Sequence, residues 1–207
     1  MSRRSPKAAR EARERAAQAE AQAQAQAHPQ PDADAADSAP DVDVWICDFA
    51  DAEDSDAFAG LMAEFAAEPV SSRADLDHAH FARVATDLAR RPGTLVLLAA
   101  HAESETTEGI LIAFEGYSSF AQAQLFNVHD IHVSPSARGR GVGTAMMQAL
   151  EDLAREHRFA KITLEVAASN TGAIALYRRL GYAGLEHVAA HPAAAGSDAT
   201  YFATKKL

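Results

Sequence analysis

From Ile131 to Thr144 the sequence reads IHVSPSARGRGVGT, an apolar run that passes a proline and two arginines and then sets three glycines at alternate positions. Glycine has no Cβ, so the backbone N–H groups across residues 139–144 can come close to a ligand. A helix starting here would aim its unpaired amides and the positive end of its dipole at the same place. Arg138 and Arg140 add cationic charge. The chemistry implied is the holding of an anion, with a phosphate or pyrophosphate as the natural fit.

Three phosphate-binding designs can be set against these residues. A P-loop requires G-x-x-x-x-G-K-[ST], and no lysine follows these glycines, which excludes it. A dinucleotide turn requires G-x-G-x-x-G directly after a strand, with an acid about 20 residues on. Gly139 and Gly141 supply its first half and Glu165 lies at the end of the next apolar run, but Thr144 stands where the third glycine belongs and residues 134–138 intervene. The third design, R-x-x-G-x-G/A, is met by Arg138, Gly141 and Gly143. Here IHVSPSARGRGVG resembles, without a gap, the first signature of the GNAT superfamily of acetyl-CoA-dependent N-acetyltransferases. LEVAASNTGAIALYRRLGY resembles its second, an Asn seven residues before a Tyr, then Gly-aromatic.

The resemblance implies a fold, a cofactor and a set of roles. The pyrophosphate of acetyl-CoA is expected on Arg138, Gly139, Arg140, Gly141, Val142, Gly143 and Thr144. Its pantetheine arm is expected on the backbone of Ile131, His132 and Val133, where the family's fourth strand bulges away from the fifth; an N–H there would polarise the thioester carbonyl. Asn170 and Tyr177 are seven residues apart, two helical turns, and so share a face. By resemblance both contact the cofactor, and Tyr177 protonates the departing thiolate. The expected reaction is acetyl transfer to a primary amine, of a small molecule or a peptide or protein, by direct attack in a ternary complex.

The base is open. His129 corresponds to a histidine that relays a proton in serotonin N-acetyltransferase-like members, but the other position of that pair holds Asn127. Strand alternation puts Asn127, His129 and Ile131 on one face and Asp130 and His132 on the other, unless a bulge shifts them. Glu115 closes the apolar run LIAFE and suits a base acting through water or a cationic-amine contact. Asp130 is the third candidate. Tyr117, Ser118 and Phe120, with Glu115 and Asn127, are expected to line the acceptor cleft together with AEPVSSRAD. His78, His80, His101, His157, His187 and His191 have no metal-ligand spacing and read as structural or solvated, so no metal is expected.

The elements that position these residues can be read from periodicity. VDVWICDF alternates as a first strand, and Phe58, Leu61, Met62 and Phe65 recur at helical spacing before Pro69. Leu76, His80 or Phe81, Val84 and Leu88 repeat that spacing up to Pro92-Gly93. TLVLLAAH, GILIAFEGYSS and QLFNVHDIHV are three strands, the first two joined by the acidic turn AESETTE. Met146, Met147, Leu150, Leu153 and Ala154 form the inner face of a helix, KITLEV is a strand, and NTGAIALYRRLGY is a helix capped by Ser169 or Asn170 and ended by Gly181. Strands near 182–190 and 199–206 complete the order β-α-α-β-β-β-α-β-α-β-β. This is an α/β fold around a mixed, largely antiparallel sheet flanked by helices.

Composition narrows the setting. The chain of 207 residues carries a net charge of −10. Residues 1–40 hold six bases and six acids and have no Leu, Ile, Val or aromatic residue, so they read as a disordered tail before a domain at 41–207. No basic face suggests a nucleic-acid partner, and no apolar run reaches the roughly 20 residues that cross a bilayer. Cys47 is the single cysteine, which fits a reducing cytoplasm. A homodimer is a possible assembly. The alternative readings are a catalytically silent acyl-CoA-binding sensor of the same fold and a scaffold that uses its charged tail. The residues do not name the acceptor amine.

Overall fold

The structure, a computed structural model, describes residues 41–69, 71, 73–186 and 199–207. The expected tail at 1–40 lies outside the described residues, as do His187 and His191. Strand β1 (Val42–Ile46) leads into α1 (Ala52–Ala67), whose first turn is closed by the Asp51 carboxylate accepting from the Glu53 and Asp54 amides. Helix α2 (His78–Leu88) is capped in the same way by Asp77 on the His80 amide, so it begins two residues after Leu76. Phe81, not His80, is the member of that pair in the core. Strands β2 (Thr94–His101), β3 (Gly109–Ser118) and β4 (Ala123–Val133) follow. Then come α3 (Val142–Glu156), β5 (Lys161–Ala167), α4 (Thr171–Arg179) and β6 (Thr200–Lys206). Of the strand expected near 182–190, the described part forms one bridge, Ala183 to Thr204.

The six strands lie in chain order across one sheet, antiparallel except for β4 and β5, which α3 connects as a parallel crossover. The two faces carry separate cores. Trp45, Val96, Leu98, Ile110 and Ile112 face α1 and α2, while Leu97, Leu111, Phe126, Val128 and Leu164 face α3 and α4. Met146, Met147 and Leu150 of α3 are fully buried against the second face. Each contributes about 1.5–3 kcal/mol through the surface it removes from water.

Two irregularities shape β4. Its pairing with β5 runs only from Leu125–Lys161 to Val128–Leu164, whereas β5 stays paired with β6 as far as Ala167. Beyond Val128 the two strands diverge. On the other edge Ile112 pairs with Asp130 and Ala113 with Val128, so His129 is an extra residue, a β-bulge. The bulge corrects the face assignment expected from simple alternation. Asn127, paired with Phe114, and Asp130, paired with Ile112, both lie on the α1/α2 face, and His132 joins them there. Ile131 and Val133 pack instead with the α3/α4 core.

Helix α3 can lie close to β3 because Gly109 has no side chain. A Cβ there would sit 2.6 Å from Val142 Cγ1 and 2.9 Å from Met146 Cε. Gly109→Ala should destabilise the fold by about 1–3 kcal/mol through overpacking. In urea titrations this should appear as a lower midpoint with an unchanged slope.

Candidate functional site

The strand divergence opens a cleft of about 600 Å³ between the end of β4, the glycine turn, the start of α3 and one side of α4. Ile131, His132 and Val133 line it from β4, and Arg138, Gly139, Gly141, Val142, Gly143 and Thr144 line it from the turn. Asn170 and Tyr177 line it from α4. The chain brings these residues together because β4 delivers the turn directly onto α3, and the parallel crossover returns α4 beside it.

The turn is built on two left-handed residues, Gly139 with φ 75° and Gly141 with φ 94°, a region that glycine enters without a Cβ penalty. Gly141 is also the residue at which α3 begins. Gly143 serves packing instead: a Cβ there would touch Leu176 and Val133 at 3.3 and 3.7 Å. Arg138 is anchored through Nε to the Val133 carbonyl at 3.0 Å and pairs with Glu68 at the end of α1. Arg140, expected at the same rim, is not part of the cleft lining. Its guanidinium turns to Glu108 at 3.7 Å, on the far side of the turn.

His132 contributes more than the backbone expected of it. Its buried ring lies between a carboxylate of α1 and that of the helix's C-cap residue, with Nε2 3.2 Å from Glu64 and Nδ1 3.2 Å from Glu68. The Ser134 hydroxyl donates to the same Glu64 oxygen at 2.6 Å. Phe65 is legible in the sequence only as an apolar member of α1, and Glu68 only as part of AEPVSSRAD, while Glu64 gives no sequence signal because its partner is 68 positions away. Phe65 and Glu68 both border the cleft.

Asn170, not Ser169, caps α4, its side-chain oxygen accepting from the Ala173 amide at 3.1 Å. Two turns later Tyr177 is buried beside Tyr182, with ring centres 5.8 Å apart. Burial pushes the Tyr177 phenol up to about 12. It therefore stands in the cleft as a neutral O–H donor.

On the α1/α2 face, where β4 leaves β5, the acceptor-side candidates separate. Asn127 ties the rung before the last one together by donating to the Thr163 hydroxyl at 3.0 Å. The His129 ring lies 5.4 Å from the Phe114 ring, and the Arg91 guanidinium sits 4.0 Å from the centre of the Phe114 ring. Burial raises the Asp130 pKa above the usual carboxylate range, and the neighbouring His129 partly opposes that rise. Glu115 does not join them. Its register partner is Phe126, which places it on the α3/α4 face, exposed and lying over Gly93. Tyr117 and Phe120 are exposed near the β3–β4 turn, at the end of β4 opposite the cleft, and Ser118 is buried there, accepting from the Ala121 amide. Among the described residues no cluster of His, Cys, Asp and Glu is arranged to hold a metal ion, and no helix is long and apolar enough to cross a membrane.

Linkage gives Tyr177 a measurable signature. Its folded pKa of about 12 exceeds the ordinary phenol value of about 10, so its contribution to stability is complete below pH 10 and is lost as pH rises through 12. Relative to the wild type, Tyr177→Phe should gain up to about 3 kcal/mol between pH 9 and 12. Denaturant unfolding at successive pH values reads this difference directly.

Comparison with known proteins adds an independent finding. Residues 55–182 match the family model for the Acetyltransferase (GNAT) family. The streptothricin acetyltransferase of Streptomyces lavendulae is 40% identical over 76 residues, 37% of this chain and 40% of that protein. The N-alpha-acetyltransferase RimI of Mycobacterium tuberculosis is 37% identical over 76 residues, 36% of this chain and 46% of that protein. The matched stretch thus spans less than half the length of either curated relative. Among solved structures, an acetyltransferase of the GNAT family from Streptococcus pneumoniae superposes with a TM-score of 0.57 at 12% identity, over 80% of this chain and 99% of that one. That likeness bears on the fold alone.

Proposed function

This chain belongs to the acetyltransferase (GNAT) family, and we propose that it transfers an acetyl group from acetyl-CoA to a primary amine by direct attack in a ternary complex. One observation carries the reading. The free edge of β4, the left-handed glycine turn and the buried Tyr177 all border a single cleft. The residues fit the cofactor's chemistry part by part. Amides of the turn and Arg138 suit a pyrophosphate. Backbone groups at 131–133, which lack β5 partners, suit the amide-bearing pantetheine arm.

Acetyl-CoA supplies the acetyl group as an activated thioester. The protein's part is to hold the thioester at the strand divergence, admit a neutral amine from the Asp130 side, and return a proton to sulfur. As the amine nitrogen bonds to the carbonyl carbon and the C–S bond breaks, a β4 N–H stabilises the charge on oxygen. The Tyr177 hydroxyl gives its proton to the thiolate. Asp130, desolvated beside the bulge, takes the proton that the amine loses, and His129 tunes it. Glu115 has no part in this scheme because it lies on the other face of the sheet.

The acceptor classes proposed are a small-molecule amine and a peptide or protein amine, which the names of the streptothricin and N-alpha-acetyltransferase relatives bracket. We assign this activity to a domain at 41–207 in the cytoplasm, with residues 1–40 as a dispensable tail.

Acetyl-CoA at 100 times its Kd should stabilise the protein by about 2.7 kcal/mol, read as a rise in Tm. Gly141→Val should abolish that rise, because a β-branched residue resists φ 94° and would crowd the anion. If NADH stabilises the protein and acetyl-CoA does not, the dinucleotide reading replaces this one. Saturable acetyl-CoA binding without turnover on a panel of amines, amino acids, polyamines and peptides would instead support a silent acyl-CoA-binding module.

Turnover tests the proton path separately. Tyr177→Phe should slow it on the order of 10²-fold with little change in acetyl-CoA affinity. Asp130→Asn should remove the acidic limb of the rate profile, measured with one acceptor throughout. His129→Ala should move that limb to higher pH, since it removes the charge that opposes the rise in Asp130. Full turnover in either Tyr177→Phe or Asp130→Asn would refute the corresponding role.

A further inference from the structure

We propose that His101 is a positioning residue for the glycine turn, a buried imidazolium that Glu108 holds in place and that turns the Gly141 amide toward the cleft. The inference rests on the reading above, in which that turn receives the cofactor's pyrophosphate. His101 is the last residue of β2, 39 positions before Arg140, and Glu108 immediately precedes β3. The β2–β3 hairpin brings them together, and their side chains are only 10% and 11% exposed. His101 Nδ1 lies 2.6 Å from Glu108 Oε2, and the His101 backbone N–H donates to the same oxygen at 2.8 Å. On the other side of the ring, Nε2 lies 3.1 Å from the carbonyl oxygen of Arg140.

Both groups facing the ring are acceptors. A carboxylate and a backbone carbonyl have no proton to offer, so each ring nitrogen must donate. That requires the doubly protonated ring. The charged groups around it are Glu108 from the hairpin and Arg140 from the turn, whose guanidinium is 3.7 Å from the second Glu108 oxygen. Burial works against the Glu108 charge, but the hydrogen bonds from His101 and the nearby Arg140 outweigh it and hold the carboxyl below its usual range.

The consequence lies in one peptide plane. In a trans peptide the carbonyl oxygen and the following N–H point in opposite directions. With the Arg140 oxygen drawn inward to His101, the Gly141 N–H points outward, on the side where Gly141 borders the cleft. His101 thus fixes the direction of one donor and places a positive charge behind the start of α3. It does not touch the ligand, so its effect should follow the phosphate part of the cofactor alone.

Two measurements test this. Proton–nitrogen NMR of the wild-type protein without ligand should show protons on both His101 ring nitrogens, and a bare nitrogen at either position would overturn the inference whatever the protein binds. Calorimetry should then compare coenzyme A with S-acetylpantetheine, which lacks the pyrophosphate. His101→Leu should weaken coenzyme A about tenfold and leave S-acetylpantetheine within about twofold. His101→Gln should recover most of the loss, because its amide N–H reaches the position of Nε2. Equal weakening of both ligands, or a Gln variant no better than Leu, would reduce His101 to a packing role and refute the proposal. Should His101→Leu fail to fold, the Gln variant and the wild-type spectrum still decide. Absence of coenzyme A binding in the wild type would refute the acetyl-transfer reading, a different result from a failed spectrum.

Discussion

The parting of β4 from β5 after Val128 is the constraint on which the site depends. Up to the Val128–Leu164 rung the sheet is continuous, and Asn127 and Thr163 bond across it. Past that rung β5 keeps its partner β6 while β4 keeps only β3, so one edge of β4 has backbone groups without a strand partner, the Val133 carbonyl being taken by Arg138 instead. Buried backbone groups must find partners. An opening edged with such groups is therefore a place for a ligand that offers amides of its own. The bulge at His129 accompanies the parting and sets which side chains face each side of it.

Electrostatics around the opening is arranged from behind. Arg138, His132 and Ser134 are tied to Glu64 of α1 and to Glu68 at its C-cap, so the end of the first helix is strapped to the end of β4. Beneath the turn, Glu108, His101 and the Arg140 carbonyl form a second chain of contacts. Fixed in this way, the turn's donors need little reorganisation when an anion arrives, which is where preorganised sites gain their strength. The two ionisable groups proposed to move protons respond to burial alike. The Tyr177 phenol and the Asp130 carboxyl both rise, and each is thereby kept closer to its protonated form.

Much of this was legible in the sequence, for reasons that can be stated residue by residue. Leu150, Leu153 and Ala154 recur at helical spacing because α3 is buried on one side, and TLVLLAAH reads as a buried strand because β2 is covered on both faces. Gly139 and Gly141 stand where the chain needs positive φ, which few other residues supply. Three features were less accessible. Arg140 reads like Arg138 in a linear motif, yet it turns to Glu108. Glu115 reads as a candidate base, but an antiparallel register with Phe126 sends it to the other face. His101 and His132 look like isolated histidines because their carboxylate partners come from other elements.

The sequence by itself determined the order of elements, the phosphate-suited turn and the family resemblance. These are local properties, set by side-chain periodicity, by Cβ sterics and by contiguous motifs that no distant contact needs to complete. The tertiary structure decided which face each β4 residue presents, which arginine borders the cleft and which carboxylates hold the histidines. A strand has a period of two, so one inserted residue reverses every side chain beyond it. No composition or spacing rule reports whether that residue is there. Ion-pair partners 68 or 70 positions apart, as in Glu64–His132 and Glu68–Arg138, exist only once the helix has docked on the sheet.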